Sequence, residues 1–363
     1  MKSLVLFNNK GGVGKTTLTF NIAHMLARNG HRTVVLDYDP QCNLSAIFLG
    51  DVQLFEIWNE ESKAMQAGKK SGRTVAGCID LVRRGKGDVL EPTLVPVAPD
   101  LYLLPGHLNL SSFEQTLAEE WPKKSSRNNE RALDVTTALD VLSNMAAERV
   151  SADIVLLDVG PSLGALNRAA LLACDAVIVP LAPDLFSLQG LSNVGPTLVD
   201  WRHEWEDACR NHLKGRVQES LPIHRFSPIG YIVQQHLARA DRMPSGYAQW
   251  ALQIPNWFHR FVLEEEPPPS SLTVEQDAQC IAFIKHFASL VPLAQQVRKP
   301  LFDLKQADGI GGGQIQAVAR CRQQFTKLVD LLLERLEEVP EATPFEEESL
   351  RDRRGHGGRP SHS

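Results

Sequence analysis

Short apolar runs punctuate the chain, and each ends at a polar or turn-forming residue. Leu4-Val5-Leu6-Phe7 comes first; Thr33-Val34-Val35-Leu36 follows and ends at Asp37-Tyr38-Asp39-Pro40. Leu101–Leu104 is closed by Pro105-Gly106, Asp153–Leu157 by Asp158, and Ala176–Val179 by Pro180. A sixth run lies at Ile229–Val233, and a last short strand is expected near Leu290–Leu293. Runs this short without alternation read as strands buried on both faces. The intervening segments have helical spacing. Leu18, Ile22, Met25 and Leu26 share one face, and from Gln314 to Glu338 the residues Ile315, Val318, Cys321, Phe325, Leu328, Leu332 and Leu336 recur with the helical period. Alternating strands and helices predict an α/β fold whose parallel sheet is covered by helices on both sides. Ligand groups then gather at the carboxyl ends of the strands.

Two stretches exceed what a minimal alternation needs. Residues 51–130 carry Gly/Lys/Arg-rich turns and the polar run Pro122–Glu130; residues 201–290 carry Trp201, Trp205, Trp250, Trp257 and the loop Glu264-Glu265-Glu266-Pro267-Pro268-Pro269. Both are read as insertions, largely helical, in one domain over 1–338. The tryptophans are assigned to core packing ahead of a partner surface, because Trp is mostly buried. Residues 339–363, rich in Glu, Arg, Gly and Pro, are expected to be a disordered tail.

Composition narrows the class without naming it. The 363 residues are 43% hydrophobic and 22% charged, as in ordinary soluble domains. No apolar run is long enough for a membrane helix, and the chain opens directly on a strand, so neither a membrane anchor nor a signal peptide is expected. Six scattered cysteines lack C-x-x-C spacing, which argues for reduced thiols and a cytoplasmic protein. A net charge of −5 does not advertise nucleic-acid binding, although a local basic face is compatible with it.

The chemistry concentrates in Lys10-Gly11-Gly12-Val13-Gly14-Lys15-Thr16-Thr17, set between the first strand and the first helix. That setting defines a P-loop: glycines turn N–H groups around phosphate oxygens, and the helix N-terminus adds its dipole. Residues Gly11 to Thr17 are expected to bind the nucleotide phosphates. Lys15 reaches the β/γ-phosphates, and the Thr16 hydroxyl ligates Mg²⁺. The fold class is therefore a parallel-sheet P-loop NTPase flanked by helices, with inserted helical regions.

A lysine before Gly-Gly-Val-Gly-Lys-Thr resembles the deviant Walker A loop of the ParA/MinD family, closest to the ParA-type partition ATPases. The resemblance covers about 1–50, 95–115 and 150–200 well, and 229–338 loosely. It implies that Lys10 crosses an ATP-dependent homodimer to phosphate on the other subunit. Val35-Leu36-Asp37-Tyr38-Asp39-Pro40-Gln41-Cys42-Asn43-Leu44-Ser45 resembles the family segment whose second aspartate supports hydrolysis. Asp39 is accordingly assigned to orienting the attacking water, and Asp37 to the magnesium shell. Cys42 replaces the family's usual glycine. Asp158 matches the family's Walker B carboxylate, which holds Mg²⁺ through water. Gly160-Pro161-Ser162 follows where the family usually has Pro-Pro, which implies a more flexible switch. Asn167, Leu171-Leu172 and Phe186–Leu191 continue the likeness. Gln234-Gln235, Pro292 and Val297-Arg298-Lys299-Pro300 resemble the parts that lie around the base.

Three functional classes fit these residues. One is a DNA-partition or cargo-positioning ATPase, whose ATP dimer binds DNA nonspecifically through Arg320, Arg322, Lys327, Arg335 and Arg298-Lys299. The second is a regulatory ATPase of a multi-component system, acting through an unidentified protein partner. The third, an ATP-dependent ligase, is disfavoured by the intact Lys10. No helix-turn-helix precedes the P-loop, and the tail lacks the apolar face of a membrane-targeting helix.

Overall fold

The computed structural model describes residues 1–125, 129–212, 226–235, 249–285, 287 and 290–340. The expected tail lies outside them from residue 341 onward. Among the described residues eight strands form one sheet: β1 (Lys2–Leu6), β2 (Thr33–Asp37), β3 (Val95–Ala98), β4 (Leu101–Leu104), β5 (Ile154–Asp158), β6 (Ala176–Leu181), β7 (Ser227–Gln235) and β8 (Cys280–Lys285). Their order is β3-β4-β2-β5-β1-β6-β7-β8. Every neighbouring pair is parallel except β3–β4, an antiparallel edge. Pro96 in β3 is tolerated because an edge strand has one side without ladder partners.

Alternation along β1 shows how the sheet is covered. Val5 and Phe7 join one core with α4 (Val75–Arg84), α5 (Leu110–Glu120), α6 (Glu130–Val150) and α7 (Ala165–Leu172). Leu4 and Leu6 join the other core with α1 (Lys15–Arg28), α2 (Asn43–Leu49) and α11 (Gly313–Glu338). Successive strand residues point to opposite faces, so one apolar run supplies both cores. A third cluster joins Val179 and Tyr231 to α8 (Leu185–His212) and α9 (Ile254–Phe258). α3 (Asp51–Gln66) and α10 (Val291–Val297) complete the helices discussed here.

One strand expectation is overturned. Leu290–Leu293 is not a strand: Val291–Val297 is a helix with Pro292 in its first turn, a position where the missing N–H costs nothing. The last strand is β8, ten residues earlier. Both stretches read as insertions also supply strands to the sheet, β3 and β4 in the first and β7 and β8 in the second. Trp201 and Trp205 are buried, as the core reading required.

Candidate nucleotide site

β1 delivers the chain to the middle of the sheet, and the loop Lys10–Gly14 turns there into α1. Gly14 stands at φ +73, and a Cβ added to it would lie 2.5 Å from Gln234 Nε2. Glycine takes that left-handed conformation without steric cost, and a side chain there would have to displace the Gln234 amide. Lys15 is buried, and its Nζ donates to the carbonyl oxygens of Asn8 at 2.9 Å and Lys10 at 3.2 Å. Burial lowers its pKa, while the carboxylates of Asp158 and Asp39 pull it back up. A cation is thus folded back over the loop where phosphate oxygens would sit.

Three carboxylates gather beside it. Asp37 and Asp158 are register partners at the ends of β2 and β5. Thr16 Oγ1 donates to Asp158 Oδ2 at 3.0 Å. Asp37 is fully buried; its Oδ2 accepts from Ser45 N at 2.8 Å and Ser45 Oγ at 2.6 Å, and its Oδ1 from Asp39 N at 3.2 Å. Asp37 therefore braces the loop, while Asp158 directly meets Thr16. Burial pushes Asp37 up to about 7, against the hydrogen bonds from Ser45. Burial and the neighbouring Asp37 push Asp158 up as well. Asp39 holds the turn through Gln41 N at 2.9 Å. A Cβ on Gly160 would stand 3.3 Å from Asp39 Oδ1, so the switch loop passes directly over that carboxylate.

Carboxylates driven toward protonation by burial and by one another are suited to a divalent cation, which restores their ionised form. Among the described residues no group of three or more His, Cys, Asp or Glu is placed to hold a metal alone. Mg²⁺ takes one or two carboxylates and completes its shell with phosphate and water. Thr16 and Asp158 are the residues that would hold it.

Asp184 is a site neighbour that the sequence reading does not include. Lys10 Nζ lies 2.5 Å from Asp184 Oδ2, so the signature lysine is paired within its own chain. Burial favours the neutral acid at Asp184, but the hydrogen bonds from Lys10 and Ser187 outweigh it and lower its pKa. Asp184 also accepts from Ser187 N at the start of α8; an Asp-x-x-Ser pattern before a helix was the available signal. Asn167 Nδ2 donates to the carbonyl oxygens of Gly160 and Ser162, tying α7 to the switch loop.

Away from the phosphates, a cleft of about 690 Å³ opens between Thr16, Thr17 and Asn43 on one side and Gln295, Gln296 and Arg298 on the other. Arg298 Nη1 donates to Leu49 O at 2.8 Å, which joins α10 to the end of α2. Pro292 is exposed on the first turn of α10; its neighbours Val291, Ala294 and Gln295 line a narrower gap with Thr17 and Phe20. The basic residues on α11 are partly engaged. Arg335 donates to Ile229 O, and Arg322 to Phe302 O and Asp303.

A family model described as an AAA domain matches residues 1–210. The chromosome partitioning protein ParA of Caulobacter vibrioides is 29% identical over 198 residues, 54% of this chain and 62% of that protein. The chain spans about three fifths of the length of the first curated relatives it matches. Among solved structures, protein DIP2308 of Corynebacterium diphtheriae aligns with a TM-score of 0.65 at 23% identity, covering 93% of this chain and 99% of that one. The cell division ATPase MinD of Pyrococcus furiosus aligns at 0.51 and 16%, covering 92% and 98%. At those identities the structures speak for the fold alone. With more than half of its length inside the family model, the chain belongs to the AAA domain family, as a P-loop ATPase of the ParA/MinD type.

Proposed function

We propose that the chain is a Mg²⁺-dependent ATPase that dimerises around ATP and serves DNA partition or cargo positioning in the cytoplasm. The observation that carries the reading is the Thr16–Asp158 hydrogen bond beside a buried Lys15, at the end of the P-loop. Backbone N–H groups of Gly11 to Gly14 and the Lys15 ammonium cradle the β- and γ-phosphates. Thr16 and Asp158, with Asp37 behind them, would hold Mg²⁺, which when bound would supply neutralisation of phosphate charge. Asp39 orients the attacking water under Gly160, and the base extends toward Thr17 and the first turn of α10 around Pro292. Lys10 exchanges Asp184 for phosphate on the second subunit. In its ATP-bound dimer the chain binds DNA without sequence preference, by pairing two copies of a weak basic face.

A second reading, a regulatory ATPase acting through a protein partner, is favoured by one feature. Arg322 and Arg335 spend donors on internal carbonyl oxygens, which thins the basic face of α11.

One experiment separates the two: light scattering and gel shifts on random duplexes, with ATP or ADP, for wild type and Lys10→Ala. Partition predicts an ATP-dependent dimer that shifts DNA, with both properties lost in the mutant. An ATP dimer that ignores DNA even at low salt favours the partner reading. A Lys10→Ala protein that dimerises normally refutes the crossing lysine.

A further inference from the structure

A hydrogen-bond chain leads from the surface helix α3 to the carboxylates of the nucleotide site. Trp58 Nε1 on α3 donates to Gly106 O at 2.9 Å. Gly106 N donates to Ser45 Oγ at 2.9 Å, and Ser45 Oγ donates to Asp37 Oδ2 at 2.6 Å. Ser45 and Asp37 are fully buried. The direction of the chain follows from the groups in it. A peptide N–H can only donate, so Ser45 accepts from Gly106 and its single hydroxyl proton goes to Asp37. A Cβ on Gly106 would lie 2.8 Å from Asp37 O and 2.9 Å from Cys42 Sγ, so a side chain there would push this loop off the end of β2.

Ser45 meets Asp37 twice. It lies in the first turn of α2, where N–H groups have no helical acceptor, and its N donates to Asp37 Oδ2 at 2.8 Å. That bond alone would cap the helix. The hydroxyl adds a second hold on the same oxygen, and Asp39 N donates to Oδ1 at 3.2 Å. A carboxylate offers about four acceptor directions. Both on Oδ2 are used and one on Oδ1, which leaves one, on Oδ1. Sheet register sets Asp37 beside Asp158, the partner of Thr16.

We propose that Ser45 is a positioning residue of the magnesium site. Its two bonds fix the Asp37 carboxylate so that the remaining acceptor direction serves a water on Mg²⁺, and Trp58 steadies Ser45 through Gly106. Groups one shell behind a metal's ligands set their orientation and so its affinity. The role rests on the assignment of Mg²⁺ to Thr16 and Asp158 given above.

The test measures binding of AMPPNP, a non-hydrolysable ATP analogue, to the full chain by calorimetry, with excess Mg²⁺ and with EDTA. The ratio of the two affinities is the gain from the metal. A general packing defect lowers both affinities and leaves the ratio in place. Ser45→Ala should cut the gain about tenfold while leaving the affinity in EDTA unchanged. Trp58→Phe, which keeps an aromatic ring and removes the Nε1 donor, should cut it about threefold. In an Asp37→Asn background, Ser45→Ala should cost nothing further, because both act through one carboxylate. An unchanged gain in Ser45→Ala, equal losses with and without Mg²⁺, or losses that add to those of Asp37→Asn overturn the positioning role. If Ser45→Ala does not fold, an unchanged gain in Trp58→Phe overturns it instead. A wild type that gains nothing from Mg²⁺ overturns the metal site itself and this role with it; a wild-type gain that the variants keep in full overturns the role alone.

Discussion

The two ends of the nucleotide cleft are built differently. At the phosphate end, every group sits within a few residues of a strand's carboxyl end: Lys10 to Thr16 after β1, Asp37 and Asp39 at the end of β2, Asp158 and Gly160 at the end of β5. Parallel neighbours in register bring these ends together without help from the rest of the chain. At the base end, the walls come from α1, α2 and α10, elements separated by more than two hundred residues in sequence. The phosphate end is a charged device, with a buried lysine against three carboxylates. The other end is held by Arg298 on Leu49 O and lined by the amides of Asn43, Gln295 and Gln296, with Asp51 and Arg298 beside them. Phosphate affinity should therefore depend on single charges, and base affinity on many small contacts.

The sharpest way to break this contrast is Asp39→Ala. Loss of the group that orients water should lower turnover by about a hundredfold or more, while Mg-ATP still binds. A phosphate-release assay beside a binding isotherm checks it; full turnover would remove Asp39 from the chemistry.

A smaller effect probes the other end. Arg298→Ala frees α10 from α2 and should weaken ATP about fivefold, the size of one lost hydrogen bond. Tripolyphosphate, which lacks a base, should bind as in wild type. Equal losses for the two ligands would mean that the ends are not separable.

The smallest effect concerns pH. In the folded chain Asp37 holds its proton up to about 7, whereas an unfolded aspartate loses it near 3.9. The folded state thus binds more protons between those values, and the contribution of Asp37 to stability falls as pH rises from about 4 to about 7. His24 works the other way: burial lowers it to about 4, so its contribution rises with pH until about 6.5. Asp37→Asn should lessen the falling component, by its own share and by the part of the Asp158 rise that Asp37 causes. Melting temperatures of the nucleotide-free protein across this range should show it, and identical slopes for mutant and wild type would contradict it.

The same contrast explains what the sequence revealed. Six of the eight strands among the described residues were legible, with the loop and the carboxylates that follow them, because continuous apolar runs ended at polar residues of recognisable spacing. The edge strand Val95–Ala98 was not: it is short, half-buried and carries Pro96. Cys280–Lys285 does not stand out in the sequence either, and the apolar stretch after Leu290 reads as a strand although Pro292 opens a helix there. Asp184 escaped because its role depends on meeting Lys10, 174 residues away. Gln295 and Gln296 face the cleft only because α10 packs beside α1, a tertiary fact without a local signature, whereas Arg298 lies in the Val297–Pro300 segment expected there.

Calorimetry of Mg-ATP binding to wild type and Lys15→Ala tests the central claim most directly. The buried lysine offers the phosphates a charge-assisted contact of about 1.5–3 kcal/mol, so its loss should weaken Mg-ATP roughly tenfold to a hundredfold. Equal affinity in the two proteins would contradict a nucleotide site at this loop.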